Sequence, residues 1–219
     1  MQDIEELKVG GSIRLKGPIR FSKIEVGGSL RIEGGAQGEE FKTSGSAEIE
    51  GNLESRIVES AGSLKIKGNL KAIEGNFSGA VKVEGDAEIK NLRMSGSMKI
   101  NKVKGETADF DGDVVAEEIE FRSVRVGKKT EISSLIIGKE VYIERDAEVA
   151  SVIGSKVVIE KGVEANYVEA EEVEVGRNAE INVLKYVKSF KVHKDAEVEK
   201  VEKVESLSRD IFSPVEPTG

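Results

Sequence analysis

The chain has one histidine, His193, and no cysteine. A histidine base needs an orienting partner and a nucleophile within reach, and its sequence neighbours Val192 and Lys194 supply neither. One imidazole among scattered carboxylates also makes a poor metal site, because zinc ligands must converge. Asp109, Asp111 and Asp113 alternate, and as a cluster they offer oxygen ligands to a cation. With 41 acidic residues, close pairs arise by number alone, and the three read better as charges on a strand edge beside a loop. Gly27-Gly28 and Gly34-Gly35 suggest a phosphate cradle, but no Gly-Lys-Ser/Thr and no helix pattern follows them. No catalytic or metal residue is assigned, and no cofactor is expected.

What these residues sit on is a repeat. Gly11-Ser12-Ile13-Arg14-Leu15 returns as Gly28-Ser29-Leu30-Arg31-Ile32, Gly45-Ser46-Ala47-Glu48-Ile49 and Gly62-Ser63-Leu64-Lys65-Ile66. It continues as Gly79-Ala80-Val81-Lys82-Val83 and Gly96-Ser97-Met98-Lys99-Ile100, always at a step of 17. The second half repeats with a different phrase. Val124-Arg125-Val126, Val141-Tyr142-Ile143, Val157-Val158-Ile159, Val173-Glu174-Val175 and Phe190-Lys191-Val192 follow at steps of 17, 16, 16 and 17. A second strip follows each, from Thr130-Glu131-Ile132 to Ala196-Glu197-Val198. A third position reads Leu135, Val152, Val168, Leu184 and Val201.

Each strip alternates with period two, which means strand. A unit of 16–17 residues cannot bury its apolar side alone, so the copies must stack. The expected fold is all-β, a single-stranded right-handed parallel β-helix of about 11 coils. Stacking at about 4.8 Å per coil puts like positions in columns. Ile32, Ile49, Ile66, Val83, Ile100, Val126, Ile143, Ile159, Val175 and Val192 are expected inside. Pro18, Gly35, Asn52, Asn69 and Asp86, and later Asp146, Gly162, Asn178 and Asp195, mark corners whose types suit turns. Asn52 above Asn69 suggests an amide ladder.

The repeat domain is placed at 9–205, with an irregular coil over about 101–122. Residues 1–8 read as an N-terminal cap or extension. Residues 206–219 read as a C-terminal tail or cap, in which Ile211 and Phe212 can cover the last coil.

Composition fits a thin solenoid better than a thick core. Apolar residues are 38%, charged residues 34% and aromatic residues only 5%. The net charge is -8, with Lys and Glu interleaved and no basic stripe, so nucleic acid is not an expected partner. No stretch has the 18 or so apolar residues of a membrane span, and no membrane anchor is evident. The simplest location is cytoplasmic.

The phrases Gly45-Ser46-Ala47-Glu48-Ile49-Glu50-Gly51-Asn52-Leu53 and Gly62-Ser63-Leu64-Lys65-Ile66-Lys67-Gly68-Asn69-Leu70 resemble the bactofilin family of polymer-forming cytoskeletal proteins. So does Val81-Lys82-Val83-Glu84-Gly85-Asp86-Ala87-Glu88-Ile89. The match is closest over 11–100 and looser over 124–205. The resemblance implies a right-handed β-helix that assembles end to end without nucleotide, and it brings no catalytic residues.

The expected role is a structural protein whose partner is itself. A β-helix ends in an open coil with unpaired backbone, which invites another coil. The candidate contact residues are Ile13, Leu15, Ile19, Phe21 and Ile24 at one end. Phe190, Val192, Val198 and Val201, with Ile211 and Phe212, form the other. The rival readings are a β-helix enzyme, either an acyltransferase or polysaccharide-active, and a passive binding module. Hexapeptide acyltransferases need an 18-residue coil and a catalytic histidine, polysaccharide lyases need long loops, and a binding face needs an aromatic strip. Tyr142, Tyr167 and Tyr186 fall in different columns.

Overall fold

A computed structural model describes residues 2–211, as two compact units that divide between Glu117 and Glu118. The chain is all-β, and its parallel strands stack as a β-solenoid. The turns of both units together number about 12, against about 11 expected. Among the described residues, no helix is long and apolar enough to cross a membrane.

Unit 1 builds each turn from one long and one short strand. They begin with β1 (Gln2–Val9), β2 (Ser12–Lys16), β3 (Ile19–Val26), β4 (Ser29–Glu33), β5 (Ala36–Thr43) and β6 (Ser46–Ile49). Next come β7 (Leu53–Ser60), β8 (Ser63–Ile66), β9 (Leu70–Phe77) and β10 (Ala80–Val83). The unit closes with β11 (Ala87–Met94), β12 (Ser97–Lys99), β13 (Lys102–Phe110) and β14 (Asp113–Val115). Long strands pair with long ones and short with short, all parallel.

The register step in unit 1 is the sequence period. Gln2 pairs with Ile19, Ile19 with Ala36 and Leu53 with Leu70. Over the stretch expected to be irregular the step falls to 16, with Ala87 opposite Val103 and Ser97 opposite Asp113. Phe110 and Val114 stay fully buried there, so one residue is lost without a change of face. The N-terminal boundary moves, however. Gln2–Val9 is no cap outside the repeat but a strand of it, because Ile4, Leu7 and Val9 lie opposite Phe21, Ile24 and Val26.

The phrase-opening glycines of unit 1 lie flat on the turn before. A Cβ on Gly62 would sit 2.0 Å from the Gly45 carbonyl oxygen, and one on Gly45 as close to that of Gly28. Corners are tied by side chains: the Asn69 amide N–H donates to Asn52 Oδ1 at 2.9 Å, and that of Asp86 to Asn69 Oδ1 at 3.0 Å.

Unit 2 merges its strips into β15 (Glu118–Val126), β16 (Glu131–Ile143), β17 (Glu148–Ile159), β18 (Glu164–Val175), β19 (Glu180–Val192) and β20 (Glu197–Lys203). Its corners are left-handed, with φ of 58° at Lys129, 61° at Asp146, 69° at Gly162 and 53° at Asn178. Such backbone suits Gly, Asn and Asp and is unusual for a lysine.

Of the ten residues expected inside, nine are buried: Ile32, Ile49, Ile66, Val83, Ile100, Val126, Ile143, Ile159 and Val175. Val192 is half-exposed, because among the described residues the end of β19 pairs with β18 on one side and with no strand on the other. The third strip is corrected by one residue. The register shifts between Ile132 and Leu135, so Val152 lies opposite Ile136 and Leu135 lies opposite Ser151. Ile136 is therefore the core residue, at 0% exposure, and Leu135 points to the flank. A slip of one residue exchanges the faces of a strand.

Candidate self-assembly site

Among the described residues, β1 has β3 as its only strand partner and β2 has only β4. This leaves one side of each open. The inward-pointing residues of that edge are Ile4, Leu7, Val9, Ile13 and Leu15, all half-buried except Val9. Three expected contact residues do not belong to it. Ile19, Phe21 and Ile24 lie under β1, between it and β5, and are 0%, 3% and 0% exposed. The missed residues, Ile4 and Leu7, were traceable by subtracting the 17-residue step from Phe21 and Ile24.

The open edge of unit 2 holds the expected residues. Among the described residues, β20 pairs only with β19, and Ser189–Val192 pairs only with β18. Phe190 is 44% exposed and Val201 42%, while Val192 and Val198 are half-buried. The Phe190 ring rests on Tyr186, with centroids 4.5 Å apart.

Residues 206–211, the part of the tail among the described residues, do not run over this edge. After the Val204 N–H bonds the Tyr186 carbonyl, the chain turns back along the flank. Ser208 donates its hydroxyl and its amide to Glu169, and Arg209 pairs with Glu118 at 3.2 Å. The solvent-facing row between these anchors runs Glu120, Ile137, Ile153 and Glu169. Ile137, Ile153 and Glu169 are nonetheless only 3%, 5% and 1% exposed. Ile211 is half-buried, and Phe212 lies outside the described residues. Burial pushes the Glu169 carboxyl up, but the Ser208 hydroxyl, the Tyr167 hydroxyl and the Ser208 amide outweigh it and hold it below the usual carboxylate range.

The charged surfaces of the units differ. In unit 1, Lys8, Glu25, Lys42 and Glu59 stack in one column, and Glu6, Lys23 and Glu40 in the next. Ion pairs knit the two columns, Lys8 to Glu6 at 3.1 Å, Lys23 to Glu25 at 2.6 Å and Lys42 to Glu40 at 2.7 Å, and Lys42 also pairs along its own column with Glu59 at 3.2 Å. These pairs hold the Glu25 and Glu40 carboxyls low and the Lys23 and Lys42 ammonium groups high.

Unit 2 has an alternating column as well, Glu140, Lys156 and Glu172, but in two of its columns like charges stack on like. Glu131, Glu148, Glu164, Glu180 and Glu197 lie opposite one another and are all exposed. At the preceding corner Lys128, Arg145, Lys161, Arg177 and Lys194 follow at the same steps, also all exposed. Backbone bonds stack these corners, Lys129 N–H to the Arg145 carbonyl, Asp146 to Lys161 and Gly162 to Arg177. Arg177 pairs with Asp195 at 3.1 Å. A basic stripe is thus present where none was expected. Its members stand 16 or 17 residues apart, so composition and charge runs hide it.

The remaining candidates do not converge. His193 sits exposed at a corner, its Nδ1 accepting from the Asp195 N–H at 3.1 Å. Asp109 lies opposite Arg93 on β13, Asp111 at the next corner and Asp113 on β14. Asp109 and Asp111 line a shallow concavity of about 390 Å³ with Glu59, Asn76 and Arg93. Among the described residues no three carboxylates or imidazoles are grouped to hold a metal ion. Tyr142, Tyr167 and Tyr186 lie in three separate columns.

No protein-family model, curated protein or solved structure matches this chain.

Proposed function

We propose that the chain is a structural subunit, a cytoplasmic scaffold that assembles end to end without nucleotide, as its resemblance to bactofilins implies. The observation that carries this reading is the pair of open edges. β1 and β2 present one face of unpaired backbone with an aliphatic row, and β20 with Ser189–Val192 presents another. Such edges are templates for a further strand. Stacking one on the other adds a turn and sets Phe190 and Val192 against Leu7 and Val9, as like positions stack within each unit.

The test is electron microscopy with sedimentation velocity on the full chain and on Leu7→Lys and Val198→Lys. The parent is expected to form filaments. Each variant places an ammonium group in the joint, where an unpaired charge is costly, and is expected to remain short while its circular dichroism stays that of the parent. A parent that stays monomeric at high concentration across a wide salt range overturns the reading, as do variants that assemble like the parent.

A further inference from the structure

We propose that unit 2 also docks sideways, against a second copy of this chain running parallel to it, through its two columns of charge. Either column alone would read as a solvated face. Together they form five level pairs: Lys128 with Glu131, Arg145 with Glu148, Lys161 with Glu164, Arg177 with Glu180 and Lys194 with Glu197. In unit 1 the outward charges find opposite partners in the next turn. In these two columns of unit 2 they meet their own sign there, whereas elsewhere in the unit Lys188 pairs with Glu171 and Lys191 with Glu174 across turns. Among the described residues, the side chains of Lys128, Arg145, Lys161 and Lys194 make no ion pair, and neither do those of Glu148, Glu164, Glu180 and Glu197.

The partner follows from the order of the columns. A polyanion attracted to the basic column is repelled by the acidic one three residues along the chain, and a polycation meets the reverse. A surface presenting both columns in exchanged order satisfies both, and a second copy turned about a two-fold axis parallel to the columns presents it. Arg145 of one copy then faces Glu148 of the other, and Glu148 faces Arg145, as a self-complementary two-fold contact requires. Both columns climb by the strand spacing of about 4.8 Å, so all levels match at once. A two-fold axis across the columns would set basic against basic, so the pair must be parallel.

The test uses the full chain and two double variants, Arg145→Glu with Lys161→Glu, and Glu148→Lys with Glu164→Lys. All four positions are exposed, so circular dichroism checks that the fold is kept. In sedimentation equilibrium the parent is expected to pair at low ionic strength and to lose about ten-fold or more in affinity near 0.5 M salt, where screening shortens the range of charge. Each variant alone opposes like charges and is expected to lose pairing by about ten-fold or more, the loss of roughly 1.4 kcal/mol or above. A 1:1 mixture of the two, labelled with different fluorophores, is expected to pair again. A parent that does not pair at low salt, variants that pair as the parent does, or a mixture that fails to pair each overturns the proposal. End-on stacking uses other residues, so Leu7→Lys can abolish filaments and leave this pairing intact.

Discussion

Ser208 and Glu169 lie 39 residues apart in sequence and 2.6 Å apart between Oγ and Oε2. The Ser208 amide donates to the other carboxylate oxygen, and Arg209 reaches back to Glu118. A carboxylate that is 1% exposed has its charge satisfied by the tail and by the Tyr167 hydroxyl. The tail is therefore latched to the flank of unit 2 at Ser208 and Arg209.

Removing the latch should free the tail without unfolding the turns. Ser208→Ala deletes one hydrogen bond to a charged group, worth about 1.5–3 kcal/mol. Hydrogen exchange over residues 206–211 should speed up by about ten-fold or more, with exchange in β16–β18 unchanged. Trypsin should also cut after Arg209 faster than in the parent. Unchanged exchange at Ser208 would show that the contact does not hold the tail.

The latch should fail in acid, and the fold beneath it should weaken in alkali. The Glu169 carboxyl is held below its ordinary value of 4.5, so its contribution is complete above that value and is lost as pH falls through the lower folded value. Burial, then the hydrogen bond to Glu169, raises the Tyr167 phenol from 10.0 to about 12. That contribution is complete below the ordinary phenol value and is lost as pH rises toward about 12. Tail exchange, corrected for intrinsic rates, should be slow at neutral pH and faster below about pH 4. A profile that is flat between about pH 3 and 7 would contradict the latch geometry.

Two glycines should respond to alanine with very different costs. A Cβ at Gly62 would stand 2.0 Å from the Gly45 carbonyl oxygen, whereas one at Gly27 meets nothing nearer than the Val9 oxygen at 3.7 Å. Gly62→Ala should cost about 3 kcal/mol, because two backbones must separate. Gly27→Ala should cost under about 1 kcal/mol. Urea unfolding of both variants measures the difference, and equal midpoints would refute the close stacking.

Thr43 is 3% exposed, and its hydroxyl has no hydrogen-bond partner among the described residues. It stands in the inward column between Val26 and Ser60. Thr43→Val keeps the shape and removes the unsatisfied group, so it should raise stability by about 1 kcal/mol. Ile66→Ala, at a fully buried position, should lower it by about 2–5 kcal/mol. A destabilised Thr43→Val would mean that the hydroxyl finds a partner in solution.

Period and alternation were enough to read the solenoid and nearly all of its core. A 17-residue step brings Ile32, Ile49 and Ile66 onto one line whatever else the chain does, and alternation decides that Arg31, Glu48 and Lys65 face outward. The corner types also carried their message, since Asp146, Gly162 and Asn178 are the kinds of residue that accept left-handed backbone. What the sequence left open depends on contacts that no local pattern encodes. Gln2–Val9 lacks the glycine phrase, and only its pairing with Ile19–Val26 makes it part of the stack. Leu135 and Ile136 are adjacent and both apolar, so only the partner strand decides which one enters the core. The path of Ser208 to Glu169 is set by a contact 39 residues away in sequence. The basic column of unit 2 exists only once its turns are stacked, because stacking converts a spacing of 16 or 17 residues into neighbours about 4.8 Å apart.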